Sequence, residues 1–562
     1  MRSSLAIALA VAVIGTAPKT ADAFCGFYVS GAKGELYNNA TQVVLMRHKT
    51  RTVLSMQNSY QGPAKDFAMV VPVPVVLQKE NVKTLPRDVF KKVDTLAAPR
   101  LVEYWEQDPC ARRHKYDRSP KTASAPRKKR ARRKGNKDAD DLGVTIEAKF
   151  AVGEYQIVIL GAKDSSGLDT WLRREGYKIP KGAAKLLRPY VQQGMKFFVA
   201  KVDIKKVTKG PNGLVLSPLR FHYDSEKFSL PVRLGLMNAQ GAQDLIVHIL
   251  APGKRYEASN YKNVFIPTNL DVTNDTRKNF GEFYAALFDA TLKKNPGAVV
   301  TEYSWDSGTC DPCPTPPLRY RELALLGQDV LYQPSTLVPK KPTPTIPPKG
   351  AKPPGATSKV APPLMKRRPR RRRWRRRGGM VLTRLHVRYT KDSLQNDLMF
   401  KEASGVVGGR ETRRGPKRTL EEGAKPSYAN MFQGRYAIRH KWTGRVDCKD
   451  PRFGRWGGPQ GSRHRKPSAK AALDLAFAPR GKRKLASFVK TDIKDLGVKA
   501  AGASAPVPPS KTVPPTTTTT KPNKTTKKKK KKGCTVSGSD GGAGVALLML
   551  GVSLIIIRRR RR

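Results

Sequence analysis

Gln42-Val43-Val44-Leu45-Met46 and Thr52-Val53-Leu54-Ser55-Met56 are two β-prone runs separated by the polar stretch Arg47 to Arg51. Two such runs around a short polar break predict a hairpin. The next apolar stretch, Asp66 to Leu77, also reads as a strand, but Pro72 and Pro74 each remove a ladder donor. An edge position is therefore expected for it. Pro86 to Leu96 and Leu101 to Gln107 are expected as short helices.

Beyond a basic interruption the pattern resumes. Val144 to Phe150 and Tyr155 to Leu160 read as strands, Gly167 to Tyr177 and Ala183 to Gln193 as helices. Phe197 to Val202, Leu214 to Tyr223 and Asp244 to Leu250 are again strand-like. Phe280, Phe283, Tyr284, Leu287, Phe288 and Leu292 fall at helical spacing, so Phe280 to Lys294 is the best helix, followed by a strand over Ala298 to Trp305. Strands outnumber helices without a regular βαβ repeat, so the expected fold class is α+β and strand-rich.

The 562 residues carry 108 Lys and Arg against 44 Asp and Glu, a formal charge of +64. That balance excludes an ordinary cytosolic metabolic enzyme and directs attention to anionic surroundings. The charge is concentrated. Residues 111–141 are net +9, 339–379 net +15, 505–532 net +9, and Arg558 to Arg562 add five more. These runs lack the large apolar side chains needed to offset ordering entropy, so they read as disordered spacers. They divide the body into an N-terminal block 24–110, a basic spacer 111–141, a central block 142–335, a Pro/Arg linker 339–379 and a C-terminal block 380–500, with a Pro/Thr/Lys stalk over 501–533.

Both ends read as addresses. Met1-Arg2-Ser3-Ser4 precedes the apolar run Leu5 to Ile14, and Ala21-Asp22-Ala23 supplies a small-x-small cleavage pattern. Residues 1–23 are therefore expected to be a signal peptide cut after Ala23. At the other end, Gly533-Cys534 leads through a small-residue stretch to the apolar segment 541–557 and the five terminal arginines. The segment has the minimum length for a membrane span, and the arginines would hold its end in the cytoplasm. This tail, 534–562, resembles the MYXO-CTERM sorting signal of myxobacteria and their relatives. The resemblance implies a tail that is removed and Cys534 kept as the processed, lipid-bearing anchor. A plain tail-anchored helix is the alternative. Either way the body is expected outside the cytoplasm, in the envelope or at the surface of a Gram-negative, myxobacterial cell, with the membrane and the export and processing machinery as partners.

Tyr60-Gln61-Gly62, Asp66-Phe67-Ala68-Met69-Val70-Val71-Pro72-Val73-Pro74 and the opening Phe24-Cys25-Gly26-Phe27 resemble the bacterial family called domain of unknown function 2330. Trp171-Leu172, Gly176-Tyr177, Tyr190-Val191 and Phe197 to Val202 are similar to it as well, as are Ser217-Pro218-Leu219-Arg220 and Pro231-Val232-Arg233-Leu234. The likeness covers most of 24–335, with 380–500 resembling the extension of longer members. It implies no activity, cofactor or catalytic residue.

In an exported chain Cys25, Cys110, Cys310, Cys313 and Cys448 are disulfide candidates. Cys25 with Cys110 and Cys310 with Cys313 are the expected pairs, although spacing cannot fix connectivity. Cys310-Asp311-Pro312-Cys313 invites a thiol-redox reading. That chemistry needs a helix start at the first cysteine, whereas Pro314, Pro316 and Pro317 follow here. A structural disulfide is the preferred reading.

The seven histidines are scattered, with no HExxH and no phosphate loop, and His248 alternates with Ile246 and Leu250 as a core histidine would. Asp164, Asp169 and Asp224 stand near strand ends, in active-site or ordinary turn positions. No metal or cofactor is expected. Arg367, Arg368, Arg370, Arg371, Arg372, Arg373, Arg375, Arg376 and Arg377 surround Trp374 and are candidates for contact with DNA, lipopolysaccharide or acidic polysaccharide, without specific nucleic-acid recognition. An extended, self-repelling spacer is the preferred reading of that run. The sequence thus predicts an exported, envelope-anchored, non-enzymatic binding or structural component. A polyanion-binding protein is the alternative, and a Cys310/Cys313 redox enzyme the third reading.

Overall fold

The hairpin forms. Strands β1 (Thr41–His48) and β2 (Arg51–Gln57) pair antiparallel with Leu45 opposite Leu54. The turn is tighter than the Arg47–Arg51 break suggests, because only Lys49 and Thr50 lie outside the strands, Lys49 at φ 54°. Arg47 and Arg51 join the ladder and are buried, and Arg51 grips Asp224 through Nε at 2.9 Å and Nη2 at 2.8 Å.

The computed structural model describes residues 27–30, 37–38, 41–57, 60–61, 67–110, 144–335, 337, 379–459, 469–471 and 481–501, apart from 178, 180–181, 211–212, 239–241, 391–392, 415–416, 422 and 482. The segment 1–23 expected as a signal peptide with Ala23, Cys25, the basic segment 111–141, the Arg367–Arg377 run with Trp374, the segment 502–533, Cys534 and the apolar tail lie outside the described residues.

In chain order the elements used below are β3 (Phe67–Val73), α1 (Arg87–Ala97), β4 (Arg100–Glu106), β5 (Val144–Val152), β6 (Tyr155–Ala162), α2 (Ser165–Arg174) and α3 (Ala183–Gln192). They continue with β7 (Lys196–Val202), β8 (Leu219–Asp224), β9 (Gln243–Pro252), α4 (Phe280–Lys294), β10 (Val299–Asp306), β11 (Met380–Tyr389) and β12 (Arg435–His440). The class is α+β with strands predominating.

The layers follow from side-chain alternation. One sheet orders Phe27–Ser30, β3, β7, β6 and β5. One of its faces packs on α2 and α3 through Val70, Leu160, Trp171, Leu172, Leu187 and Phe197. Its other face, with Met69, Val71, Ile157, Phe198 and Ala200, meets Val43, Leu45, Leu54, Val247, Ile249 and Leu385 of a larger sheet. That eleven-stranded sheet runs through β10, β11, β9, β1, β2 and β8 in its middle. Its far face is covered by α1 in one apolar cluster and by α4 in another.

Strand β11 lies between β9 and β10, so the first segment of the 380–500 block is central to a sheet that also contains the 24–110 and 142–335 blocks. The Pro/Arg linker therefore joins β10's side of the chain to a strand beside it.

Three expectations are corrected. Residues 101–107 do not form a helix: β4 is a strand that pairs parallel with β12, Leu101 opposite Tyr436. Its partner is more than 300 residues away, and such non-local pairing overrides a short local pattern. Strand β3 is not simply an edge strand, because Phe27–Ser30 pairs it over 67–70 while β7 pairs its other side. It is open on one side only beyond Val70, which is where Pro72 sits. Leu214 to Tyr223 is two strands, Gly213–Val215 and β8, interrupted around Pro218.

Candidate functional site

The far face of the large sheet carries a stripe of charge between the two helix-covered clusters. On β11 the alternation Arg384, His386, Arg388 puts three cationic side chains on one face, while Leu385 and Val387 point into the inter-sheet core. Register places Ile246 beside His386 and His248 beside Arg384. On β10 the register shifts between Thr301 and Tyr303, leaving Glu302 as an extra residue. A bulge re-aims a side chain, and this one brings Glu302 onto the charged face.

The resulting chain of contacts is continuous. Arg384 donates from Nη1 to Asp94 of α1 and from Nε to Glu302 at 2.6 Å, and lies 3.3 Å from His248 Nε2. His386 bridges Glu302 at 2.7 Å through Nδ1 and Asp244 at 2.9 Å through Nε2. Arg388 bonds Asp244 at 2.5 Å and Asp289 of α4 at 2.7 Å. The Tyr284 hydroxyl donates to Glu302, and the Phe288 ring stacks on His386 at 3.8 Å. Glu302 is 0% exposed and His386 1%.

Burial opposes a charged Glu302, but His386 and Arg384 outweigh it and hold its pKa down at about 2. Burial likewise opposes a charged His386, and Glu302 with Asp244 raises its pKa above the ordinary value. Both ring nitrogens face carboxylates, so His386 is a bridging cation without a free nitrogen to act as a base, and no Ser or Cys side chain among the described residues bonds to it. The stripe is built to hold two clusters in register. Among the described residues no group of three or more His, Cys, Asp or Glu is placed to hold a metal.

Two other buried histidines, His248 and His222, are shifted in the opposite sense. Burial, then Arg384, pushes His248 down to about 3; burial, then Arg51 and Arg220, pushes His222 down to about 4. Both stay neutral in the fold, so below about pH 6.5 the unfolded chain binds protons the fold refuses, and stability falls with pH. His386 stabilises fully below its unfolded pKa, and that contribution is lost as pH rises through its raised folded value. Stability is therefore expected to peak near pH 6.5, each histidine giving a slope of up to about 1.4 kcal/mol per pH unit. Denaturant titrations between about pH 4 and about pH 9 check this. His386→Gln should remove the alkaline limb and keep the acid one. A profile still rising at the alkaline end would refute the assignment.

The residues singled out from sequence are dispersed. Asp164 caps α2, accepting from the Ser166 and Gly167 amides at 2.6 and 3.0 Å; Asp169 pairs with Arg173, and Asp224 with Arg51. His48 packs against the Tyr332 ring, and His440 lies 3.1 Å from Glu103. Cys110 is bonded to Cys448, not to Cys25, and Cys310 to Cys313. Neither Cys310 nor Cys313 stands at a helix start, since the next helix opens at Tyr320. Sequence reading missed Asp94, Asp244, Glu302, Arg384 and Arg388. The signal that would have found two of the five, Arg384 and Arg388, is the Arg-x-His-x-Arg alternation within an otherwise apolar strand.

The family model for an uncharacterized protein conserved in bacteria, domain of unknown function 2330, matches residues 19–401. The chain belongs to this family. The match runs past 335 and includes β11, so the stripe lies wholly within the family region. Neither a curated protein nor a solved structure matches the chain.

Proposed function

We propose that this chain is exported, is anchored in the cell envelope through its C-terminal tail, and serves there as a non-enzymatic binding or structural component. The observation that carries this reading is the Cys110–Cys448 disulfide, which ties residues 338 apart. A cross-link of that kind persists in oxidising compartments and is rare in the cytosol. The signal-like N-terminus and the Gly533-Cys534 tail support the same reading. No described helix is long and apolar enough to cross a membrane.

Intact mass of the native protein from envelope fractions, with thiols counted by alkylation, tests it. A chain from Phe24 to a lipid-modified Cys534, with Cys110 and Cys448 oxidised, is expected. A cytoplasmic chain with Met1 and Arg562 present and reduced cysteines would overturn the reading.

Polyanion contact is the second reading, and charge beyond the family match favours it. Residues 402–500 hold 24 Lys and Arg against 9 Asp and Glu, in addition to the arginine run. Deleting 366–377 should weaken salt-sensitive binding to lipopolysaccharide or DNA if that run makes the contact; unchanged binding would exclude it.

A further inference from the structure

Among the described residues four arginine side chains are fully buried: Arg100, Arg220, Arg384 and Arg435. Two have carboxylate partners, Arg220 on Asp329 and Arg384 on Asp94 and Glu302. Among the described residues neither Arg100 nor Arg435 has a carboxylate at ion-pair distance, although the Asp311 carboxylate acts on Arg100 from farther away. They are register partners across the parallel β4–β12 pair, so their side chains leave the sheet on the same face.

Every acceptor they do have is neutral. Arg100 donates to the carbonyls of Pro312 at 2.9 Å and Leu96 at 2.7 Å, and lies over the Tyr303 ring. Arg435 donates to Asn269 Oδ1 at 2.8 Å and the Tyr104 hydroxyl at 2.9 Å. Arg100 Nε and Arg435 Nη2 are buried without a partner. Burial first, and the Arg435 charge in addition, lower the pKa of Arg100 against the opposing pull of Tyr303 and the Asp311 carboxylate. A guanidinium cannot shed its proton in a protein, so neutralisation is closed to both. Two buried charges side by side without a hydrogen-bonded counter-ion are a costly arrangement, and an anion is what relieves them.

The Cys310–Cys313 loop lies over this pair. The Pro312 carbonyl sits on Arg100 Nη1, and the Asp311 carbonyl accepts from Gln433 Nε2. Asp311 and Cys313 face solvent. Lifting the loop would open a path from solvent and release these two donors to join Arg100 Nε and Arg435 Nη2.

We propose that Arg100 and Arg435 form a binding site for a tetrahedral oxyanion, phosphate or sulfate, with the Cys310–Cys313 loop as its cover. Guanidinium groups suit such anions because two parallel N–H bonds match two oxygens. The loop carbonyls compete with the anion, so apparent affinity is reduced by the fraction of time the loop is closed.

Thermal unfolding of the full chain in phosphate, sulfate and chloride at matched ionic strength tests the proposal. Chloride is the reference, because a chain of charge +64 is stabilised by any anion through screening. Phosphate and sulfate stabilise any fold by exclusion from its surface, so the site is read as the Tm gain over chloride in the wild type beyond the gain that R100M and R435M retain. That excess should be present and should grow in C310S/C313S, which keeps Cys110–Cys448. A gain over chloride as large in R100M and R435M as in the wild type would overturn the proposal. Equilibrium dialysis of labelled phosphate and sulfate against the wild-type chain does not depend on the variants folding. One saturable site that resists chloride supports the proposal, and only chloride-displaceable, non-saturating uptake refutes it.

Discussion

Replacing Glu302 by glutamine is expected to cost about 3–5 kcal/mol of folding free energy, measured by equilibrium denaturation near neutral pH. The amide keeps the shape and removes the charge shared by Arg384 and His386. Asp94 and Asp244 remain, but each is already engaged with one of those cations. The buried positive charge is then under-compensated, which is the costly half of breaking a buried pair. His386 should also lose its proton at lower pH, so the alkaline limb of the stability profile should move down. A loss below about 1 kcal/mol would place the stripe among ordinary surface ion pairs.

The second large effect is expected from Cys110→Ser with Cys448→Ser. Their bond closes a loop spanning a sequence separation of 338, so its removal frees much of the chain in the unfolded state. Chain entropy sets the loss at about 6 kcal/mol. C310S/C313S opens a bond between residues only three apart and should cost far less. Equal losses for the two pairs would show that local packing, rather than loop closure, governs both. The same C110S/C448S protein shows how firmly β12 is held to β4, since Cys110 follows β4 and Cys448 follows β12.

Local signals were legible. Helix α4 spans the residues predicted, because six apolar side chains at helical spacing leave one face to bury. The β1–β2 hairpin and strands β5, β6 and β7 were also readable, since their partners in pairing are adjacent or their alternation is clear. Leu101 to Gln107 was not. Leu101, Tyr104 and Trp105 stand at i, i+3, i+4, which imitates a helix, and nothing nearby reveals that Arg435–His440 will claim them as a strand. The Cys110 partner was hidden for the same reason.

The charged stripe escaped for a different reason. Arg384, His386 and Arg388 alternate with apolar residues, and such a strand ordinarily turns its polar face to water. Here α1 and α4 cover that face, and a bulge on a neighbouring strand delivers Glu302 to it. Burial of a polar face depends on what packs over it, which no window of the strand records.

The sequence by itself determined the strand-rich α+β class, the family, the positions of most local elements and the concentration of charge in segments poor in apolar side chains. Periodicity and composition carry the class, the elements and the charge residue by residue, and the resemblance of particular motifs carries the family. Tertiary structure alone decided that Cys110 meets Cys448, that β11 enters the middle of a sheet begun at β1, and that Arg100 faces Arg435. Each of these joins residues distant in the chain. Their energies arise from contacts, burial and charge pairing that exist only after the chain has closed on itself.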